Sequence, residues 1–190
     1  MNELIITEAI KYINSLFRDN ADGHDVNHTL RVYKSAMKIA ESYPDSNKMI
    51  IALASLLHDV DDYKLFDTTD NMNARSFLMK HNINNEMIED ICEVINSVSF
   101  SKNRGKSPIT LEGQIVQDAD RLDAIGAIGI ARTFAYGGKN KRSLESSLKH
   151  FDEKLLLLKD EMNTKEAKEI AKERHEYMVS FLERIKEEMY

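Results

Sequence analysis

An uncharged apolar run from Met49 to Leu57 constrains the fold of this chain most strongly, and it ends directly in His58-Asp59. No polar stripe interrupts the run, so it predicts a helix that is buried on most sides. The run is too short to span a bilayer. A buried helix that ends in an imidazole and a carboxylate brings polar groups into the core, where they are costly unless they are paired or bound to a metal. The pattern therefore predicts a partner for His58 and Asp59.

The composition is typical of an all-α protein. The chain has 190 residues, and its two prolines and seven glycines are too few for an all-β protein with many turns. Its many Ala, Leu, Ile, Lys and Glu residues favour helices. The length suits one domain with a proper core, so we expect residues 1–190 to form a single domain. We expect its C-terminal part, about residues 141–188, to be a hairpin of two amphipathic helices.

Charge and cysteine usage limit the partners and the compartment. The net charge of −6 provides no general attraction to nucleic acid or to an anionic membrane, so a phosphate ligand must be held by a local site. The single cysteine, Cys92, excludes an internal disulfide and fits a reducing compartment. The N-terminus lacks the basic segment and the long apolar core of a signal peptide. These features predict a cytoplasmic protein.

Apolar residues at helical spacing predict most of the other elements. His28 stands at the start of a core-facing stripe that continues through Val32, Ala36, Ile39 and Tyr43. By itself such a histidine is either a metal ligand or an ordinary hydrogen-bonded core residue. Pro44 is expected to end this helix. Further helices are predicted over residues 3–17, 72–81 and 84–98.

The stretch 111–138 combines acids with apolar residues. On a helix Asp120 and Asp123 are neighbours at i and i+3, while Asp118 lies on a different face. Three acids so close repel each other unless cations stand between them, and Arg121 can neutralise one. The stretch contains Ala-Ile-Gly twice, and glycine inside a helix is unfavourable, which suggests a close approach by another helix or a ligand. Gly137-Gly138 is expected to end it.

Together, His28, His58, Asp59 and a late acid supply two imidazoles and two carboxylates. Such a mixed nitrogen and oxygen site suits Mn²⁺, Fe²⁺, Co²⁺, Ni²⁺ or Zn²⁺, whereas Mg²⁺ more often uses oxygen alone. A polar basic loop over 99–108 is either a solvated loop or a flap over an anionic ligand. The residues therefore predict a metal site that acts on a phosphate group.

The segments HDVNHTLRV, LASLLHDVDD and IVQDADRLDAIGAIGIAR together resemble the HD-domain metal-dependent phosphohydrolase superfamily, and within it the small stand-alone YpgQ-like bacterial hydrolases. The match covers a motif core of about residues 24–138. The His-Asp pair alone occurs by chance, whereas the combination is specific. The resemblance implies an all-α HD-domain helical bundle with a metal site at its centre. It also implies hydrolysis of a nucleotide phosphoanhydride or phosphoester, with a nucleoside triphosphate pyrophosphohydrolase favoured.

Carried over residue by residue, the resemblance implies one divalent metal ion held by His28, His58, Asp59 and Asp120. Asp120 is preferred to Asp118 because the last ligand of the family is the acid of an Ala-Asp followed by a basic residue. Mn²⁺ is favoured among the ions named above, and Mg²⁺ is also compatible.

The resemblance also implies roles around the metal. Asp62 matches the place where relatives keep an acid that orients or deprotonates the attacking water; its alternative is a helix-terminal surface acid. Lys64, Arg121, Arg132 and His24 are the candidate substrate contacts, although Arg121 can instead pair with Asp118 or Asp123. Many relatives carry an arginine shortly before the first histidine, where this chain has Asp25-Val26-Asn27.

The expected partner is a small phosphate substrate, most simply a nucleotide, without nucleic acid or membrane. The apolar stripes are also compatible with a homodimer. The alternative function is a non-catalytic nucleotide- or metal-binding regulatory HD module.

Overall fold

The structure is a computed structural model that describes residues 3–17, 26–99, 103 and 105–189. These residues form α-helices and one 3-10 helix, Leu155–Glu161, and no β-strand. The prediction of an all-α protein is confirmed. The α-helices are α1 (Glu3–Leu16), α2 (Val26–Ala40), α3 (Lys48–Leu57), α4 (Met72–Lys80), α5 (Asn85–Val98), α6 (Leu111–Asp123), α7 (Gly126–Lys139), α8 (Leu144–Glu153) and α9 (Lys165–Met189).

Helix α3 is the centre of the N-terminal part of the chain. Every residue from Ile50 to Leu57 is buried, as the uninterrupted apolar run predicts. The side chain of Asn47 accepts hydrogen bonds from the backbone N–H groups of Met49 and Ile50 and so caps the helix. Helices α1, α2 and α5 pack against α3, and α4 packs on α5. The core of this part is therefore built around the helix that leads into His58.

The chain forms two compact units, residues 1–119 and 120–190, and the division falls inside helix α6. The single-domain organisation over residues 1–190 stays a prediction. Within the described part of the chain, no helix combines the length and the apolar character that a membrane crossing requires.

The second unit has its own aromatic core. The rings of Phe134, Phe151 and Phe181 lie with centroids 5.9 to 6.5 Å apart. Helix α7 packs against α8 and α9, and the 3-10 helix packs against α8 and α9. Helix α8 ends at Glu153, and the 3-10 helix follows Lys154, so a short third element lies between the two C-terminal α-helices.

The acid-rich stretch 111–138 is two helices, because the chain breaks at Ala124-Ile125. Gly126 has φ +77°, a conformation that L side chains rarely adopt, and a Cβ there would lie 2.9 Å from Cγ of Arg174. A Cβ on Gly129 would clash with the carbonyl oxygen of Ala124. The close approach that these glycines predicted is thus to other parts of the same chain. Helix α7 runs on to Lys139, past the expected end at Gly137-Gly138.

Candidate metal centre

Three potential ligand atoms, one on helix α2 and two just after the end of helix α3, converge within the first unit. The Nε2 atoms of His28 and His58 are 3.3 Å apart. Oδ2 of Asp59 lies 3.5 Å from Nε2 of His28 and 3.3 Å from Nε2 of His58. The exposed fractions of the three side chains are 3%, 4% and 9% in the order His28, His58, Asp59. The residues that the sequence singled out therefore meet in a nearly dry site.

Helix ends and helix faces produce this convergence. His28 lies on the buried face of α2 with Val32, Ala36 and Ile39, as the core-facing stripe predicts. His58 is the C-cap residue of α3, so His58 and Asp59 follow the last residue of the buried helix rather than lying within it. The two histidine rings meet edge to face, with an angle of 70° between their planes. Their Nε2 atoms lie next to each other.

The backbone selects the tautomer of His58. Nδ1 of His58 lies 2.8 Å from the carbonyl oxygen of Ser55. A carbonyl oxygen can only accept a hydrogen bond, so Nδ1 carries the proton in this contact. In the neutral ring the Nε2 lone pair is then directed at His28 and Asp59, and this is the arrangement in which a histidine binds a metal ion.

The geometry and the donor set fit a divalent transition-metal ion. An ion with bonds of about 2.1 Å holds neighbouring ligand atoms about 3 Å apart, close to the spacings found here. Two imidazole nitrogens and a carboxylate oxygen are donors that suit Mn²⁺, Fe²⁺, Co²⁺, Ni²⁺ and Zn²⁺. Without a cation the buried carboxylate and two buried rings would meet with little access to water, which is unfavourable.

The two candidates for the last ligand, Asp118 and Asp120, both lie on α6. Asp118 is fully buried and belongs to the first unit, whereas Asp120 is the first residue of the second unit. The choice of Asp120 as the last ligand stays a prediction.

The two acids that follow Asp59 differ in their hydrogen bonds: Asp61 accepts two backbone N–H groups and Asp62 accepts one. Both carboxylate oxygens of Asp61 accept backbone N–H groups, from Asn73 at 2.9 Å and Ala74 at 3.0 Å. Asp62 accepts one backbone N–H, from Lys64 at 2.8 Å, through Oδ1. Asp62 is half-buried, and its role as the catalytic acid stays a prediction.

The candidate substrate contacts differ in burial and in their partners. Lys64 is exposed, with Nζ 5.6 Å from the ring centroid of Tyr63. Within the second unit, the guanidinium of Arg121 is 3% exposed and pairs with Glu161, both with its carbonyl oxygen and, at 3.4 Å, with its carboxylate. His24 lies outside the described residues.

Arg132 and Arg174 hold the end of helix α6 inside the second unit. Arg132 donates to Oδ2 of Asp123 at 2.6 Å, and Arg174 donates to the carbonyl oxygen of Leu122. Burial lowers the pKa of the Arg174 guanidinium, and the nearby Asp123 carboxylate opposes that shift. Glu161 and Arg174 could not be recognised from the sequence as partners of this motif, because they lie 40 and 52 residues from the groups they contact. The substrate roles of Arg121 and Arg132 stay predictions.

Comparison with known proteins places the chain among HD proteins. A family model described as "HD domain" matches residues 25–125. The uncharacterized protein YpgQ of Bacillus subtilis (strain 168) is 38% identical over an alignment that covers 100% of this chain and 96% of YpgQ.

Solved structures agree with this match. A crystal structure of Bacillus subtilis YpgQ in complex with ADP superposes with a TM-score of 0.83 at 35% identity, covering 96% of this chain and 97% of that one. A crystal structure of an HD-superfamily hydrolase from Bacillus thuringiensis gives a TM-score of 0.81 at 37% identity and covers 100% and 98%.

Proposed function

The chain belongs to the HD-domain family, and on that premise we propose that it is a metal-dependent phosphohydrolase that cleaves a nucleotide, with pyrophosphate release from a nucleoside triphosphate as the favoured reaction. The observation that carries the proposal is the convergence of His28, His58 and Asp59 within 3.5 Å in a nearly dry site. The nucleotide as substrate class is supported by the ADP held by the related YpgQ.

Each residue of the site has a distinct role in the proposed reaction. His28, His58, Asp59 and Asp120 would hold one divalent ion, with Mn²⁺ as the favoured ion. When bound, such an ion lowers the pKa of water and offsets the charge on a phosphate oxygen. Asp62 accepts the proton of the attacking water through the oxygen that does not accept the Lys64 N–H. The ammonium group of Lys64 stabilises the negative charge that grows on the phosphate.

Charge and composition support the remaining parts of the proposal. Because the whole chain carries a net charge of −6, a polyphosphate needs local cations, and Lys64 is an exposed one beside Asp62. One cysteine in 190 residues supports a cytoplasmic location. A homodimer remains compatible with the apolar surface.

The experiment that tests the function uses metal-stripped protein, Mn²⁺ and a panel of nucleoside mono-, di- and triphosphates, with chromatographic separation of the products. We expect pyrophosphate and a nucleoside monophosphate from a triphosphate. Orthophosphate from a monophosphate would identify a nucleotidase instead, and orthophosphate from a triphosphate would identify cleavage of the terminal phosphate. Nucleotide binding without any product, with Mn²⁺ bound, would favour the regulatory module over the enzyme.

A further inference from the structure

The segment that carries Asp59 and Asp62 is not held by a helix. Helix α3 ends at Leu57, and the following turn has short-range backbone hydrogen bonds, from Val60 N–H to Leu57 O at 3.3 Å and from Asp62 N–H to Asp59 O at 3.1 Å. An α-helix would hold such residues through a regular ladder to the fourth residue before each. Contacts from outside the turn therefore contribute to the orientation of the two acids.

The N-terminus of α4 supplies those contacts. The Asp61 carboxylate accepts the N–H groups of Asn73 and Ala74, one on each oxygen. In return, the side-chain amide of Asn73 donates to the carbonyl oxygen of Val60 at 2.7 Å. The first N–H groups of a helix have no partner within the helix, and its dipole favours a carboxylate at this end. Three hydrogen bonds thus clamp residues 60 and 61, which lie between the metal ligand Asp59 and Asp62.

Two residues with left-handed backbone conformation precede α4, at the end of the helix that Asp61 caps. Asp70 and Asn71 both have positive φ, +53° and +54°, in the left-handed region. Such conformations persist when the surroundings determine them. Asn71 is buried, and its side-chain amide donates to Oδ1 of Asn96 on α5 at 3.2 Å. The Asn71 side chain makes no cap hydrogen bond to α4, so the cap comes from Asp61 instead.

We infer that Asp61 and Asn73 are positioning residues that set the orientation of Asp59 toward the metal and of Asp62 toward the attacking water. The inference rests on the proposed function for the role of Asp62, whereas the part that concerns Asp59 can be tested by metal binding alone. Neither residue needs to touch the substrate, because both act through the turn that they hold.

The test combines Asn73→Ala with Asp62→Asn in a double-mutant cycle on the full chain, with Mn²⁺ affinity measured by titration calorimetry. We expect Asn73→Ala to lower kcat about tenfold and Mn²⁺ affinity about threefold or more, the scale of one lost hydrogen bond. In the Asp62→Asn background the loss in kcat should largely disappear, because the residue being positioned is no longer a base.

Ser76→Ala is the matched control on the same helix. Ser76 is exposed and lies on α4 three residues after Asn73, and none of the three clamp hydrogen bonds involves it. This variant should leave kcat and Mn²⁺ affinity within about twofold of the wild type. If Asn73→Ala does not fold, Asn73→Asp replaces it, because an acid in the first turn suits the helix dipole but cannot donate to Val60.

The outcomes separate this inference from the proposed function. No turnover by the wild type on any nucleotide would remove the proposed function, and a loss of Mn²⁺ affinity in the Asn73 variants would still support the clamp on Asp59. Asn73 variants that match Ser76→Ala in both kcat and Mn²⁺ affinity would overturn the inference. Fully additive losses of kcat in the double variant would overturn the positioning of Asp62.

Discussion

The Nδ1–H of His58 donates to the carbonyl oxygen of Ser55 at 2.8 Å. This one hydrogen bond connects the buried helix to the candidate metal centre, because it selects the tautomer in which the Nε2 lone pair of His58 can bind a metal. Ser55 lies in the last turn of α3, so the buried helix fixes the orientation of the His58 ring.

Asp120→Ala is expected to lower Mn²⁺ affinity about a hundredfold or more and to abolish turnover, because it removes a charged group from the proposed ligand set. Titration calorimetry and metal analysis after gel filtration measure the affinity. Asp160→Ala is the control, since Asp160 is an acid with a side chain 79% exposed. A variant at position 120 that retains full metal content and turnover would contradict the assignment.

Asp62→Asn is expected to retain Mn²⁺ and to lower kcat about a hundredfold or more, because the amide cannot accept the proton of the water. It can still accept the Lys64 N–H through its oxygen, so the local turn is preserved. Steady-state kinetics at saturating Mn²⁺, with metal content measured on the same sample, tests this. Unchanged kcat would exclude Asp62 as the base.

Removal of the metal is expected to stop turnover and to lower the melting temperature. A ligand at about one hundred times its Kd stabilises the folded state by about 2.7 kcal/mol. Thermal unfolding after treatment with a chelator, and again after addition of Mn²⁺, measures the effect. A His58→Ala variant should show the same low melting temperature with and without Mn²⁺. Equal melting temperatures of the wild-type protein in both conditions would contradict the metal site.

Gly126→Ala is expected to destabilise the protein by about 1–3 kcal/mol, because φ at this position is +77° and a Cβ would press on the side chain of Arg174. Gly138→Ala is the matched control in the same helix. A Cβ at Gly138 meets nothing within 4 Å, so alanine there should be neutral or stabilising by up to about 1 kcal/mol. Urea unfolding of both variants makes the comparison, and equal effects would contradict the strain at Gly126.

Cys92 is expected to react slowly with thiol reagents in the folded protein. Burial raises the pKa of the Cys92 thiol, while the nearby Arg75 guanidinium opposes the shift, so little thiolate is present at pH 7.5. The rate with a colorimetric disulfide reagent should rise many-fold once guanidinium chloride unfolds the chain. Equal rates in the folded and the unfolded protein would contradict the burial of this side chain.

Local patterns predicted much of the fold, and the resemblance to HD-domain proteins supplied the proposed metal ligands. The apolar run 49–57 predicted α3, and apolar residues at helical spacing predicted a helix over residues 84–98, where α5 lies. Both follow from periodicity, which is a property of neighbouring residues in the chain. The cost of burying His58 and Asp59 predicted a partner for them, whereas His28 by itself was also compatible with an ordinary core histidine.

Long-range partners could not be predicted in the same way. Nothing in the local sequence distinguishes Asp61 from Asp62, yet the first caps α4 and the second makes a single backbone contact. Likewise, the pairing of Arg121 with Glu161 depends on how the chain folds back within the second unit.

The sequence by itself determined the helical class and the buried helix α3, because both depend on periodicity, and it predicted a partner for His58 and Asp59, because burying a polar group is costly. The tertiary structure alone decided which carboxylate oxygens are engaged and which tautomer His58 adopts. These outcomes depend on which donors and acceptors from distant parts of the chain come within hydrogen-bond distance, and only the packing of the helices brings them together.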